Sequence, residues 1–82
     1  MSDLREIDEP GEPQGLQLHG DHITLAQAVK AVGLADTGGQ AKVIIRNGDV
    51  AVNDVVETRP GRKLRAGDRF GTPGGRAWTI TA

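Results

Sequence analysis

The sequence contains no cysteine and no long apolar run, and these two absences exclude several classes of protein. Without cysteine there is neither a disulfide framework nor a thiolate metal site, which excludes a disulfide-stabilised secreted scaffold and fits a reducing cytosol. No apolar stretch approaches the roughly 20 residues that a membrane-spanning helix needs. Residues 1–10 are acidic and lack the apolar core of a signal peptide. We therefore predict a cytoplasmic protein without a membrane partner.

The residue patterns that commonly form catalytic sites are also missing. There is no cysteine nucleophile and no Gly-x-Ser-x-Gly turn, and the acids of the folded part have no histidine at a recognisable spacing. His19 and His22, with Asp21 between them, are weak evidence for a metal because no third ligand is obvious. A polar entry to the first helix is the favoured interpretation of these histidines. We predict no enzyme activity, no cofactor, no metal and no small-molecule substrate.

The formal net charge of −1 conceals an uneven distribution of charge along the 82 residues. Residues 1–12 hold five acids and one base, whereas the remaining seventy residues hold nine bases and six acids. The first fifteen residues also combine prolines and glycines with little apolar bulk. We predict a disordered acidic leader over residues 1–15 and one small folded domain over residues 16–82.

Two short helices are predicted from their caps. Thr24 and Gln27 form a capping box, and Gly33 supplies the left-handed residue that ends the first helix. The apolar stripe between them comprises Leu25, Ala28, Val29 and Val32. The second helix begins after Asp36 or Thr37, repeats the cap spacing with Gln40, and stops at Gly48. Its predicted inner face consists of Ala41, Ile44 and Ile45.

The positive charges of the second helix share one side. Lys42 and Arg46 are four residues apart, and Gly39 lies one turn nearer the N-terminus on the same side. Because this side is opposite the apolar face, we expect both cations to point into solvent.

The rest of the chain is predicted to form short strands. Residues 49–57 form a hairpin around an Asn53-Asp54 turn, and residues 15–20 are a candidate strand. A basic connection follows in residues 58–65, with Leu64 as its core anchor. Phe70 opens another strand, and Trp78 shares one face of the last strand with Ile80, which favours a core position over base stacking. The fold class is a small α+β domain, a helix-turn-helix on a short antiparallel sheet.

This order of motifs resembles the S4-type RNA-binding domain family, in particular its stand-alone YbcJ-like branch. The resemblance rests on these segments: Gly33-Leu34-Ala35, Asp36-Thr37, Ala41-Lys42, Gly48-Asp49-Val50-Ala51-Val52, Asn53-Asp54 and Gly67-Asp68. The sequences TGGQAK at residues 37–42 and VETR at residues 56–59 resemble that branch. Many family members have an arginine where this chain has Gly38.

The resemblance implies a helix-turn-helix and hairpin, called the αL motif, that binds structured RNA, with ribosomal RNA as a candidate. The implied RNA-binding residues lie in the second helix and after the hairpin: Thr37, Gly38, Gly39, Lys42, Arg46, Arg59, Arg62, Lys63 and Arg65. Solvated surface charge remains the alternative for these cations, and Arg62 and Arg65 are less favoured than Arg59 and Lys63. We predict a monomer. A protein-interaction module that uses the same face, or an exposed edge strand, is the alternative function.

Overall fold

The computed structural model describes residues 14–82 of the chain. The acidic leader predicted from the sequence lies outside the described residues, except for its last two positions. The elements follow in this order: β1 (Gln14–Gln17), β2 (Ile23–Thr24), α1 (Leu25–Ala31), α2 (Gly38–Arg46), β3 (Ala51–Val52), β4 (Val55–Val56), β5 (Lys63–Leu64), β6 (Arg69–Gly71) and β7 (Ala77–Thr81). The predicted α+β class with two successive helices is confirmed.

The strands form two sheets, and the larger one is mixed where a purely antiparallel sheet was predicted. Its five strands lie in the order β1-β7-β6-β3-β4, and a separate pair joins β2 to β5. The difference comes from β1, which pairs in parallel with β7. All the other helices and strands lie between these two strands in the sequence. Gln14 and Gly15 belong to this strand because they pair with Trp78 and Thr79. Gln14 and Gly15, which were assigned to the leader, therefore belong to the sheet.

Helix α1 has the predicted capping box at its N-terminus. The Thr24 hydroxyl accepts from the Gln27 amide at 3.2 Å, and the Thr24 amide donates to Gln27 Oε1 at 3.0 Å. Each bond satisfies a backbone group that the first turn leaves without an intrahelical partner. Gly33 follows the helix at a φ of +85°, where a side chain would be strained.

Helix α2 is capped by Thr37, which settles the choice between Asp36 and Thr37. The Thr37 hydroxyl accepts from the Gln40 amide at 3.0 Å, while Gln40 Oε1 accepts from the Asp36 amide at 2.7 Å. The reciprocal bond thus reaches one residue further back than in a standard capping box. Gly48 follows the helix, also at a φ of +85°.

The β3–β4 hairpin turns at Asn53 and Asp54, both of which have positive φ angles (51° and 71°), as a two-residue primed turn requires. Asn53 also ties this turn to the next one. Asn53 Nδ2 donates to Asp68 Oδ1 at 3.1 Å, and Asn53 Oδ1 accepts from the Arg69 amide at 3.0 Å. The hairpin is therefore fixed to the start of β6 by a side chain as well as by strand pairing.

The core lies between the two helices and the inner face of the larger sheet. Leu25, Ile45 and Leu64 are fully buried, and the predicted core positions of Trp78 and Ile80 are confirmed at 3% and 2% exposure. The Phe70 and Trp78 rings lie opposite each other on β6 and β7, with centroids 5.6 Å apart. This core holds α2 against the sheet with its apolar stripe inward.

Candidate nucleic-acid interface

The outer side of α2 carries two exposed cations. Ala41 and Ile45 are fully buried, while Lys42 and Arg46, each one residue further along, are exposed. Among residues 14–82, no carboxylate forms a salt bridge with either cation. The predicted orientation is confirmed, and both charges are available to an anion from solvent.

The first turn of α2 is open. Thr37 holds the Gln40 amide, and the two residues between them are Gly38 and Gly39. A Cβ at Gly38 would meet nothing within 4 Å, and one at Gly39 would lie 3.9 Å from the Thr37 hydroxyl. The first amides of a helix have no intrahelical acceptor and lie at its positive end. A negatively charged oxygen can therefore approach these amides without a side chain in the way.

The basic segment after the hairpin, residues 59–65, is fixed to the start of α1. The Leu25 and Ala26 amides donate to the carbonyl oxygens of Arg62 and Pro60, at 2.8 and 3.0 Å. Strand β5 then pairs with β2, with Leu64 opposite Ile23. These bonds give a loop-like segment a defined position beside the helices.

Alternation along β5 separates the core anchor from its basic neighbours. Leu64 is fully buried, whereas Lys63 and Arg65 are exposed. This confirms the predicted alternation. Within residues 14–82, neither cation has a salt-bridge partner. The Arg65 amide donates to Asp68 Oδ2 at 2.8 Å, so the backbone that carries Arg65 is held by the same aspartate that binds Asn53.

Asp68 joins the two turns as an ionised group. Its pKa lies below the ordinary value, chiefly because it accepts a hydrogen bond from the Arg65 amide, with further contributions from Asn53 and from nearby arginines, against the opposing effect of burial. The carboxylate is therefore charged at neutral pH, when it holds both the hairpin turn and the end of the basic segment.

The other two arginines of the segment share a carboxylate that the sequence did not single out. Arg59 Nε donates to Glu57 Oε2 at 3.0 Å, and Arg62 Nη1 donates to Glu57 Oε1 at 2.8 Å. Only 11% of the Glu57 side chain is exposed, compared with 73% for Arg59 and 33% for Arg62. The four cations of residues 59–65 thus fall into two groups. Arg59 and Arg62 are held by Glu57, whereas Lys63 and Arg65 have no salt-bridge partner in the described part of the chain.

The pKa of Glu57 falls from 4.5 to about 2, chiefly because its carboxylate accepts a hydrogen bond from the Arg59 side chain. Burial opposes this effect by raising the pKa, and the hydrogen bond from Arg62 lowers it further. The folded-state pKa lies below the unfolded one. The stability that ionised Glu57 contributes is therefore present above about pH 4.5 and lost as the pH falls toward 2.

We expect a Glu57→Gln variant to be less stable than the wild type at pH 7, and the difference to shrink as the pH falls from 4.5 to 2. Denaturant unfolding of both proteins over this range measures it. The other carboxyl groups are common to both proteins, so their contributions cancel in the difference between the two unfolding free energies. A difference in unfolding free energy that does not change with pH would contradict the assigned pKa.

Two weaker interpretations of the sequence can be compared with the structure. Among residues 14–82, no three His, Cys, Asp or Glu side chains come close enough together to hold a metal ion, and His19 and His22 are both exposed. Arg76 lies over the Trp78 ring, with its guanidinium carbon 4.9 Å from the ring centroid. The tryptophan ring is thus covered by the Arg76 side chain.

In the described part of the chain, no helix is long and apolar enough to cross a membrane.

The structure therefore defines a small domain with a helix-turn-helix, a hairpin that follows directly, and exposed cations on the second helix and after the hairpin. The family model described as the S4 domain matches residues 16–80. The chain belongs to the S4 domain family, and the resemblance inferred from the sequence motifs is confirmed.

Individual relatives agree with this assignment. The chain is 38% identical over 53 residues to the probable ribosome maturation protein RlbA of Bacillus subtilis (strain 168), over 65% of this chain and 75% of RlbA. It is 41% identical over 46 residues to YbcJ of Escherichia coli (strain K12), over 56% of this chain and 66% of YbcJ, just under two thirds. The solution structure of E. coli YbcJ, described as revealing an αL motif involved in RNA binding, superposes with a TM-score of 0.65 at 30% identity, covering 93% of this chain and 96% of YbcJ.

Proposed function

We propose that this chain is a non-catalytic, cytoplasmic RNA-binding protein that acts as a monomer and recognises structured RNA. The observation that carries the proposal is a group of exposed cations on α2 and after the hairpin that have no salt-bridge partner within residues 14–82: Lys42, Arg46, Lys63 and Arg65. The names of two relatives, an RNA-binding αL protein and a ribosome maturation protein, support RNA as the ligand and ribosomal RNA as a candidate.

The proposed mechanism is recognition of phosphate positions. The side chains of Lys42, Arg46, Lys63 and Arg65 neutralise phosphates, and the open first turn of α2 offers the amides of Gly38 and Gly39 to a further phosphate. Thr37 holds that turn in place. Contacts of this kind fix the register and orientation of a protein on folded RNA, whose helices are recognised mainly by shape and backbone.

The salt dependence of RNA binding tests the proposal. If Lys42, Arg46, Lys63 and Arg65 each neutralise one phosphate, the logarithm of the affinity for an RNA hairpin should fall with the logarithm of the salt concentration, with a slope of about −3. Fluorescence anisotropy with a labelled RNA hairpin between low and physiological salt measures this slope. Binding that does not change with salt would exclude a phosphate interface.

The alternative function, a protein-interaction module, is favoured by three exposed valines. Val43 lies on α2 with 55% of its surface exposed, and Val55 and Val56 lie on the edge strand β4 with 68% and 53% exposed. An apolar protein interface on these residues depends little on salt. The salt series therefore distinguishes the two functions.

Restoring the arginine that many family members have, by Gly38→Arg, is expected to raise RNA affinity. The structure has open space at this position, and its φ is not positive. Stability should change little, because an arginine favours a helix over glycine by up to about 1 kcal/mol while a cation at the first turn opposes the helix dipole by a similar amount.

The matched control is Gly38→Ala, which changes helix propensity without adding charge. RNA anisotropy and thermal unfolding of both variants separate the two effects. A loss of affinity in both variants would show that RNA approaches the backbone of Gly38 and Gly39 directly, and would overturn the expected gain.

We further propose that residues 1–13 act as an acidic leader that competes with RNA. These residues carry four more acids than bases, and their attachment at Gln14 keeps this charge close to the cations of the domain. Because β1 begins at Gln14, removal of residues 1–13 spares the strand, whereas removal of residues 1–15 takes half of it.

Deletion of residues 1–13 is therefore expected to leave the thermal unfolding temperature unchanged and to strengthen RNA binding at low salt. The gain should fade near physiological salt, where the Debye length is about 8 Å. A leader with its five acids replaced by the corresponding amides should show the same gain. Equal low-salt affinities of the deletion and the full chain would contradict competition by the leader.

A further inference from the structure

We propose that Glu57 is a positioning residue that holds Arg59 as a pre-oriented guanidinium for an RNA phosphate. The inference rests on the proposed function and adds to it a distinct role for one acid within a basic segment. It starts from an unusual arrangement, in which a nearly buried carboxylate binds two arginines of which one remains mostly exposed.

Three hydrogen bonds fix Arg59 to Glu57. The Arg59 amide and Nε both donate to Glu57 Oε2 at 3.0 Å, and Nη2 donates to Oε1 at 3.2 Å. The side-chain pair is bidentate, which is the geometry that defines guanidinium orientation best. Of the five N–H donors of a guanidinium, two are used, so three remain for an external acceptor, and 73% of the side chain is exposed.

The carboxylate itself is held by the fold. The Glu57 amide donates to the Val50 carbonyl oxygen at 3.0 Å, which attaches this residue to the start of the hairpin. The Arg62 carbonyl oxygen accepts from the Leu25 amide at 2.8 Å, which attaches the other arginine to α1. The orientation of Arg59 is thus set by both parts of the domain, the hairpin and the first helix.

The cluster contains one carboxylate and two guanidinium groups. Its net charge is therefore +1, although Glu57 forms a salt bridge with both arginines. The pKa of Glu57, lowered to about 2, keeps the carboxylate ionised at the pH of any RNA-binding experiment. The cluster therefore presents a net positive, oriented guanidinium to the solvent.

Two opposing effects of Glu57 on RNA affinity can be compared in size. Its negative charge repels phosphate, and across about 8 Å of solvent this repulsion weakens binding only about twofold. An arginine that is already ordered loses less conformational freedom on binding, which is worth about two- to tenfold in affinity. The ordering effect equals the repulsion at the low end of its range and exceeds it above that, so the acid is expected to strengthen the binding of a polyanion.

The direction in which the RNA affinity of a Glu57 variant changes therefore distinguishes charge repulsion from positioning of Arg59. Glu57→Gln removes a negative charge, so charge alone predicts about twofold tighter RNA binding. Loss of positioning outweighs this gain and predicts net binding weaker by up to about fivefold. Asp49→Asn is the matched control, because it removes an exposed acid beside α2 that has no salt-bridge partner among residues 14–82. The control should bind the labelled RNA hairpin equally well or more tightly.

Because Glu57 is nearly buried, its replacement also lowers the stability of the fold. A second variant, at the exposed Arg59, avoids this effect. Arg59→Lys keeps the charge at an exposed position but loses the bidentate geometry. It should bind RNA at least about twofold more weakly, with an unchanged salt slope. Arg76→Lys, at an exposed arginine outside the proposed interface, should leave RNA affinity unchanged. In the Arg59→Lys background, Glu57→Gln should no longer weaken binding.

The outcomes separate this inference from the proposed function. If wild-type binding is independent of salt, the proposed function fails. If wild-type binding depends steeply on salt but Glu57→Gln binds more tightly at a temperature where it is folded, only the positioning role of Glu57 is overturned. Equal affinities of Arg59→Lys and wild type overturn it as well, and assign the cluster a purely structural role.

Discussion

Replacing Lys42 and Arg46 together by alanine is expected to weaken binding to an RNA hairpin by up to about 30-fold at low salt, since each exposed ion contact is worth up to about 1 kcal/mol. The salt slope should become shallower by about 1.4 to 1.8, because each phosphate contact contributes about 0.7 to 0.9. Both side chains are exposed and alanine favours helices, so the thermal unfolding temperature should not fall.

The control is Lys30→Ala with Arg69→Ala, which removes one cation without a salt-bridge partner among residues 14–82 and one that lies 3.8 Å from the Asp54 carboxylate. It removes the same charge from α1 and β6, at exposed positions outside the proposed interface. If the control weakens RNA binding as much as the α2 variant, the effect is one of net charge and the interface is not on α2. Unchanged affinity in the α2 variant would favour the protein-interaction alternative.

Leu64→Ala is expected to lower the free energy of unfolding by about 2 to 5 kcal/mol, because the side chain is fully buried and its removal leaves a cavity. For a domain of this size such a loss corresponds to a fall in unfolding temperature of roughly 8 to 40 °C. Leu64 is also the core anchor between Lys63 and Arg65. RNA affinity should therefore fall even at temperatures where the variant is folded.

Leu64→Met is the control for this prediction, since a swap that conserves volume costs less than about 1.5 kcal/mol. It should keep both the fold and RNA affinity. Calorimetry and anisotropy on the two variants provide the measurements. A Leu64→Ala variant that unfolds within a few degrees of the wild type would show that β5 is held by its backbone bonds alone.

The helices and the hairpin could be predicted because their signals are local. The Thr24 capping box, the glycines at positions 33 and 48, and the Asn53-Asp54 turn each depend on backbone chemistry within a few residues, and each has the expected geometry. The outward direction of Lys42 and Arg46 follows from the same helical period that buries Ala41 and Ile45.

The features that could not be predicted depend on contacts between distant parts of the chain. Nothing in the local pattern of residues 14–17 indicates that they pair in parallel with β7. The Asn53 side chain binds Asp68, fifteen residues later, so its role beyond the turn is invisible in the sequence.

Glu57 was missed for a different reason. It lies two residues before Arg59 and five before Arg62, so its partners are near in sequence. Opposite charges a few residues apart are common in solvent-exposed loops, however. Only the burial of Glu57 distinguishes its salt bridges from such exposed pairs. The sequence signal that could have indicated this ion pair is the position of Glu57, which ends the predicted hairpin and precedes two arginines.

An RNA interface on these cations can be mapped by amide chemical-shift changes in the uniformly ¹⁵N-labelled protein, titrated with an RNA hairpin at low salt. We expect the largest changes in α2, from Gly38 to Arg46, and in residues 59–65, and we expect added salt to reverse them. Changes confined to the β4 edge at Val55 and Val56, or the absence of any change, would contradict an RNA interface on these cations.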